Sequence, residues 1–227
     1  MKVGVLFSSG KDSTYVIHLA KKLGHEISCL ITMESKNNES YMFHTPNINL
    51  AELCAEAMEI PIIIEQTKGK KESELEDLKK VINNAKKKYE IEGIVTGALS
   101  STYQGARIQN ICNDLNLWCF NPLWQKNQIE LLNELVDNKF KVMIVGVFAY
   151  PFDESWLGEI IDKETISKLK ELQQKYKINP AGEGGETESL VIDSPLHKKR
   201  IKITKSTKTF ENYAGVFNIE EAFLEPK

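Results

Sequence analysis

Arginine is scarce in this chain. Of 29 basic side chains, only Arg107 and Arg200 are arginines; the rest are lysines. Because the planar guanidinium fork suits carboxylate and phosphate better than an ammonium does, the scarcity draws attention to Arg107. A large charge of either sign is also missing. The net charge of −3 gives no reason to expect nucleic acid as a partner. The four cysteines, Cys29, Cys54, Cys112 and Cys119, form no C-x-x-C pair. They read as buried free thiols in a reducing cytoplasm, which argues against paired-cysteine sulfur chemistry. No apolar run is long enough to cross a membrane, and Met1-Lys2 leads directly into a strand, so neither a span nor a signal peptide is expected. Internal repeats and low-complexity stretches are lacking too. Two familiar phosphate signatures are also excluded. G-x-x-x-x-G-K-[ST] fails because Gly10-Lys11 is followed by Asp12 and Val5 stands five before Gly10. G-x-G-x-x-G fails because Gly10 is the only glycine between Val5 and Leu23.

What is present is a different phosphate loop. Residues 6–13 read Leu-Phe-Ser-Ser-Gly-Lys-Asp-Ser, between an apolar strand at 3–7 and an amphipathic helix from Thr14 to Leu23. Backbone N–H groups at a helix start are unpaired and carry partial positive charge. Gly10 lets that backbone approach an anion, the hydroxyls of Ser8, Ser9 and Ser13 can donate, and Lys11 adds a full positive charge.

The 227 residues are enough for one large or two small domains. Strands are expected at Lys2–Phe7, Glu26–Met33, Pro61–Glu65, Gly93–Thr96 and Trp118–Phe120. Helices are expected at Ser13–Leu23, Ile48–Met58 with Asn47 as cap, Glu72–Tyr89 and Gln104–Leu115. This alternation predicts a parallel sheet covered by helices, which binds ligands at the carboxyl ends of its strands. The loops after Phe7, Met33 and Thr96 all lie at such ends. The lysines of helix 72–89 follow an acidic start and read as a solvated face. A second domain begins near Asn121-Pro122, giving domains of 1–121 and 122–227. It carries helices at Ile129–Val136 and Thr165–Tyr176, and strands at Phe140–Phe148, Ser189–Ile192, Ile201–Thr204 and Gly215–Ile219.

A second unusual stretch runs from Asn179 to Ser189, with three glycines around two acids: Gly182-Glu183-Gly184-Gly185-Glu186. Such a run belongs in a tight loop, not in a helix or a central strand. Glu183 and Glu186 suit a cationic group, a magnesium ion or an amine proton, and a plain turn before the following strand is the alternative.

The loop at Ser8–Ser13 resembles the S-G-G-x-D-S loop of the PP-loop ATP pyrophosphatases, with Ser9 in place of the first glycine. Along nearly its whole length the chain resembles the diphthine–ammonia ligase family in its short archaeal-type form. The resemblance rests on Phe7–Ser13, Ser40-Tyr41-Met42-Phe43-His44, Gly97-Ala98, Tyr103-Gln104, Arg107 and Cys112. Pro122-Leu123-Trp124, Gly182–Glu186 and Glu188 complete it. The chain departs from the pattern at Ser9, at Gln109 in place of glutamate, and at Thr187 and Ser189 in place of tyrosine and threonine.

The resemblance implies an adenine-nucleotide α-hydrolase-like (HUP, Rossmann-like) α/β domain followed by a smaller α+β C-terminal domain. It also implies ATP-dependent amidation of diphthine on translation elongation factor 2, through an acyl-adenylate, with ATP as substrate and Mg2+ as cofactor. Ser8, Ser9, Gly10, Lys11, Asp12, Ser13 and Gly97 would hold ATP and pyrophosphate, with Asp12 also the metal candidate. Met33 and His44 would lie by the adenosine. Tyr103, Arg107, Glu183, Gly184, Gly185 and Glu186 would serve the acceptor and the chemistry. Free ammonium is the expected nitrogen donor, since the length leaves no room for a glutaminase domain. A cytoplasmic protein without membrane contact is expected, and a homo-oligomer stays open. Two rivals remain: a PP-loop tRNA-modifying enzyme, favoured by the basic strip from His197 to Lys208, and a non-catalytic nucleotide-binding module resembling universal stress proteins.

Overall fold

The computed structural model describes residues 1–35, 46–67 and 73–227. By their internal contacts these residues form two units, one of Met1–Ser8 and Asp12–Trp124, the other of Ser9–Lys11 and Gln125–Lys227.

In the first unit, strands and helices alternate as β1 (Lys2–Leu6), α1 (Lys11–Lys22, whose first residue groups with the second unit), β2 (Glu26–Ser35), α2 (Ala51–Met58), β3 (Ile62–Thr67), α3 (Ser73–Tyr89), β4 (Gly93–Val95), α4 (Thr102–Asp114) and β5 (Trp118–Phe120). The strands form one parallel sheet in the order β3-β2-β1-β4-β5. Strands buried on both faces need continuous apolar runs, and β1 and β2 supply them. One core gathers Cys29, Ile31 and Met33 of β2 with Leu78, Val81, Ile82 and Ala85 of α3 and Ile108, Ile111 and Cys112 of α4. These α3 residues recur at helical spacing, leaving the lysines near its C-terminus to complement the helix dipole.

Two details differ from the sequence expectation. Asn47 does not cap α2 with its side chain; it takes a left-handed conformation at φ 61°, and a 3-10 turn over Ile48–Leu50 precedes the helix. Helix α1 begins at Lys11, so the lysine stands at its first position. Strand order reverses between β1 and β4, from which the chain winds outward in opposite directions. A crevice at such a reversal is where open α/β sheets take ligands.

The second unit contains α5 (Gln128–Asp137), β6 (Lys141–Val147), α6 (Lys163–Tyr176), β7 (Thr187–Asp193), β8 (Lys199–Glu211) and β9 (Ala214–Pro226). Asn127 and Asp162 cap α5 and α6 with side-chain oxygens. The sheet runs β7-β6-β9-β8 and is antiparallel. Strands β8 and β9 are far longer than the sequence suggests. Most of β8 is exposed and polar, so apolar alternation does not mark it. The hairpin is set instead by Asn212 and Tyr213, both with positive φ, as a two-residue turn of the I′ kind requires. The architecture is a Rossmann-like α/β unit followed by an α+β unit.

Candidate functional site

The phosphate-type loop follows β1 at the reversal point. Its base is fixed to β2: the Phe7 N–H donates to the Ile31 carbonyl at 2.8 Å, and the Thr32 hydroxyl donates to the Phe7 carbonyl at 2.7 Å. Across the turn, the Ser8 N–H donates to Ser13 Oγ at 3.1 Å and the two hydroxyls lie 3.1 Å apart. Ser8 and Ser13 therefore close the loop upon itself. Ser9 sits at φ 60°, a region that costs any side chain with a Cβ and favours glycine, which accounts for glycine being usual there. Lys11 is 6% exposed and Ser9 1% exposed, whereas Gly10 and Asp12 are half-buried.

Gly97, just past β4, packs against the same helix start. A Cβ on it would lie 3.0 Å from the Asp12 carbonyl carbon and the Ser13 nitrogen. The absent side chain thus lets the exit of β4 meet the first turn of α1. Thr96 holds this exit, donating its hydroxyl to Asn121 Oδ1 at 2.6 Å and accepting the Ala98 N–H at 3.1 Å.

Tyr103 and Arg107 lie one turn apart on α4, whose start is capped by Ser101 Oγ accepting the Gln104 N–H. They meet each other directly: the guanidinium carbon stands 3.5 Å from the centre of the Tyr103 ring. This stacking fixes the orientation of the fork. Met33 is buried in the core with α3 and α4. His44, with the rest of Ser40–His44, lies outside the described residues.

In the second unit the acidic loop is closely built. Glu186 Oε1 accepts the Asn179 N–H at 2.9 Å and the Asn179 side-chain amide at 2.7 Å, while Oε2 accepts the Gly184 N–H at 2.8 Å. Gln128, at the start of α5, braces the same loop by donating to Asn179 Oδ1 at 3.0 Å and accepting the Ala181 N–H at 2.9 Å. Gly182 has φ 74°, and a Cβ on it would collide with the Thr187 carbonyl. Glu186 is therefore the knot of the loop, and Glu183, half-buried, is the acid placed beside it.

Immediately beyond this loop, β7 bonds to Ser9 and Lys11, which belong to the same unit. The Val191 N–H donates to the Ser9 carbonyl at 3.0 Å, and the Lys11 N–H donates to Ser189 Oγ at 3.2 Å. The sequence marks Ser189 as the end of the unusual stretch, the start of a strand and a departure from threonine, with no role of its own. The hydroxyl retained there is the one signal that points to this role. Asn179 is marked only as the start of the unusual stretch, and Gln128 carries no motif signal.

Cys29, Cys54 and Cys112 are buried and Cys119 is half-buried, all as free thiols. Burial pushes the Cys29 thiol up to about 12, which makes it a poor nucleophile. Among the described residues no three His, Cys, Asp or Glu side chains gather into a metal cluster. No described helix is long and apolar enough to cross a membrane.

Two family models match the chain in order: the diphthamide synthase N-terminal domain over residues 1–118 and the diphthamide synthase C-terminal domain over residues 127–224. A diphthine–ammonia ligase of Bos taurus is 36% identical over 236 residues, covering 96% of this chain and 88% of the relative. The Homo sapiens protein of the same name is 36% identical over 225 residues, covering 91% of this chain and 84% of the relative. A solved structure described as a predicted subunit of a tRNA methyltransferase from Methanocaldococcus jannaschii is 17% identical, with a TM-score of 0.44 over 86% of this chain and 98% of that one.

Proposed function

The chain belongs to the diphthamide synthase family, and from that premise we propose that it amidates diphthine on translation elongation factor 2 at the expense of ATP. The observation that carries this reading is Lys11 at the first position of α1, where the strand order reverses, in a chain that also matches the family's C-terminal domain.

A carboxylate is a poor acyl donor. In the proposed reaction a diphthine carboxylate oxygen attacks the α-phosphorus of ATP. The bond from that phosphorus to the oxygen bridging to the β-phosphate breaks, and pyrophosphate leaves. Ammonia then attacks the acyl carbon, AMP leaves with the bonding pair, and the nitrogen loses a proton to give the amide. Lys11 and the hydroxyls of Ser8, Ser9 and Ser13 would stabilise charge on the departing pyrophosphate, and burial of Ser9, Lys11 and Ser13 would strengthen their effect. Gly10 would admit the phosphate chain. Arg107, already oriented by Tyr103, would take the carboxylate or the acyl-phosphate. Glu183 would face the trimethylammonium group of diphthine, while Glu186, with Gly184 and Gly185, shapes the loop that presents it.

Asp12 brings a carboxylate to the helix start, and among the described residues no metal-binding cluster of three His, Cys, Asp or Glu gathers, which fits a Mg2+ ion held there with the substrate phosphates and not a protein-built cage. Such an ion would neutralise phosphate charge. Free ammonium is the proposed nitrogen donor and the cytoplasm the proposed location.

The test is the nucleotide product. Incubation with ATP, ammonium and diphthine-bearing elongation factor 2 is expected to release AMP and pyrophosphate, and K11A is expected to release neither. ADP and orthophosphate from the wild-type protein would overturn the reading.

A further inference from the structure

We propose that Ser189 is a positioning residue for ATP: its hydroxyl fixes the backbone of Lys11 before the nucleotide arrives. The proposal rests on the ATP-dependent reading above and adds a residue to it.

Among the described strands β7 pairs with β6 alone and so stands at the end of its sheet. Its other edge is not left bare. Ser9–Lys11, of the same unit, lie along it, with the Val191 N–H donating to the Ser9 carbonyl at 3.0 Å and the Lys11 N–H donating to Ser189 Oγ at 3.2 Å. One bond uses a backbone N–H of β7 and the other a side-chain hydroxyl two residues earlier. The two bonds bracket Gly10. They grip the loop on either side of its most pliable residue.

The bonds also act where the loop most needs support. Ser9 sits in a left-handed conformation at φ 60° that its own side chain disfavours. Lys11 opens α1, so its N–H has no partner within the helix. The Ser189 hydroxyl satisfies that donor from outside. The position of the Lys11 backbone, and with it the root of the Lys11 side chain, is thereby set by β7. Ser189 touches neither nucleotide nor acceptor in this account; it acts through Lys11. Threonine, the residue that Ser189 replaces relative to the family pattern, carries the same hydroxyl and would make the same bond.

Two measurements on the full-length protein test this. The first is amide hydrogen exchange without ATP. The Lys11 amide is expected to be protected in the wild type and in S189T and to exchange faster, on the order of tenfold, in S189A. The second is steady-state AMP formation. S189A is expected to raise the KM for ATP severalfold, up to about tenfold, with kcat and the KM for the elongation factor nearly unchanged, and S189T is expected to restore the KM for ATP. Equal exchange at Lys11 in wild type and S189A would overturn the proposal. So would a wild-type KM for ATP in S189A, a loss that falls on the elongation-factor KM instead, or equal impairment of S189A and S189T. Exchange needs no turnover and ATP affinity can be followed by calorimetry. A wild-type protein that makes no AMP, yet shows the Ser189 effects on exchange and affinity, would therefore refute the diphthine reading and leave this one standing.

Discussion

Glu186 shows how a residue chosen for its charge can hold a site by its hydrogen bonds. Its carboxylate accepts from Asn179 twice and from Gly184 once, so both oxygens are already engaged in shaping the loop. In E186Q one oxygen becomes an amide that faces a donor, and about 1–2 kcal/mol of stability should go with it. Thermal unfolding should show the loss, and amidation should fall while ATP affinity measured by calorimetry stays near wild type. Normal amidation by E186Q would remove the loop from the account. His197 is a second case. It is 3% exposed, Ser194 Oγ lies 2.7 Å from its Nδ1, and burial holds its pKa down to about 4 against partial opposition from Asp193, with Lys227 pushing the same way as burial. Between about pH 6.5 and 4 the unfolded chain binds this proton and the folded chain resists it. Stability therefore falls as pH drops through that window, by up to about 1.4 kcal/mol per pH unit from this group alone. Above the window both states are neutral and the effect vanishes. H197N should flatten this limb in denaturant titrations taken across the window. Single residues were legible in the sequence where a motif carried them, as with Lys11. Ser189 was not, because its bond to Lys11 spans 178 residues and no local pattern announces it.

At the scale of elements, what matters is how closely β4 comes to α1. The exit of β4 meets the first turn of α1 only because residue 97 has no side chain. In G97A the new methyl meets backbone at 3.0 Å, where no flexible side chain can give way, so strand and helix start must part. The variant should lose about 1–3 kcal/mol in denaturant unfolding and show a raised KM for ATP. Unchanged values of both would show that the contact does not position the loop. The sequence announced both partners of this contact, a glycine after a strand and a serine-rich helix start, because hydrophobic runs and glycines punctuate an α/β fold clearly. The β8–β9 hairpin was only partly legible. Past the expected Ile201–Thr204, its outer strand runs Lys-Ser-Thr-Lys-Thr with no apolar alternation, and only pairing with β9 accounts for its length. Asn47 failed as a cap for a related reason: cap geometry depends on the backbone angle at which the chain enters, and here the entry is left-handed.

At the scale of the whole molecule, matches to both diphthamide synthase domain models lie in one chain, in order. The basic strip that favoured a tRNA-modifying rival is partly neutralised: Arg200 and Lys202 both pair with Glu225, and Lys205 pairs with Glu220. Exposed pairs of this kind add little stability, but they do reduce the local positive field that a polyanion would need. The non-catalytic rival gives no purpose to a lysine at the first position of α1. Which reaction the chain carries out is decided most directly on the acceptor itself. The mass of the diphthine residue should be measured in elongation factor 2 before and after incubation with the protein, ATP and ammonium. The account predicts that a carboxyl hydroxyl is replaced by an amino group, with AMP formed in equal amount and no conversion when ammonium is omitted. A diphthine residue of unchanged mass, with the protein folded and ATP and ammonium supplied, would contradict it.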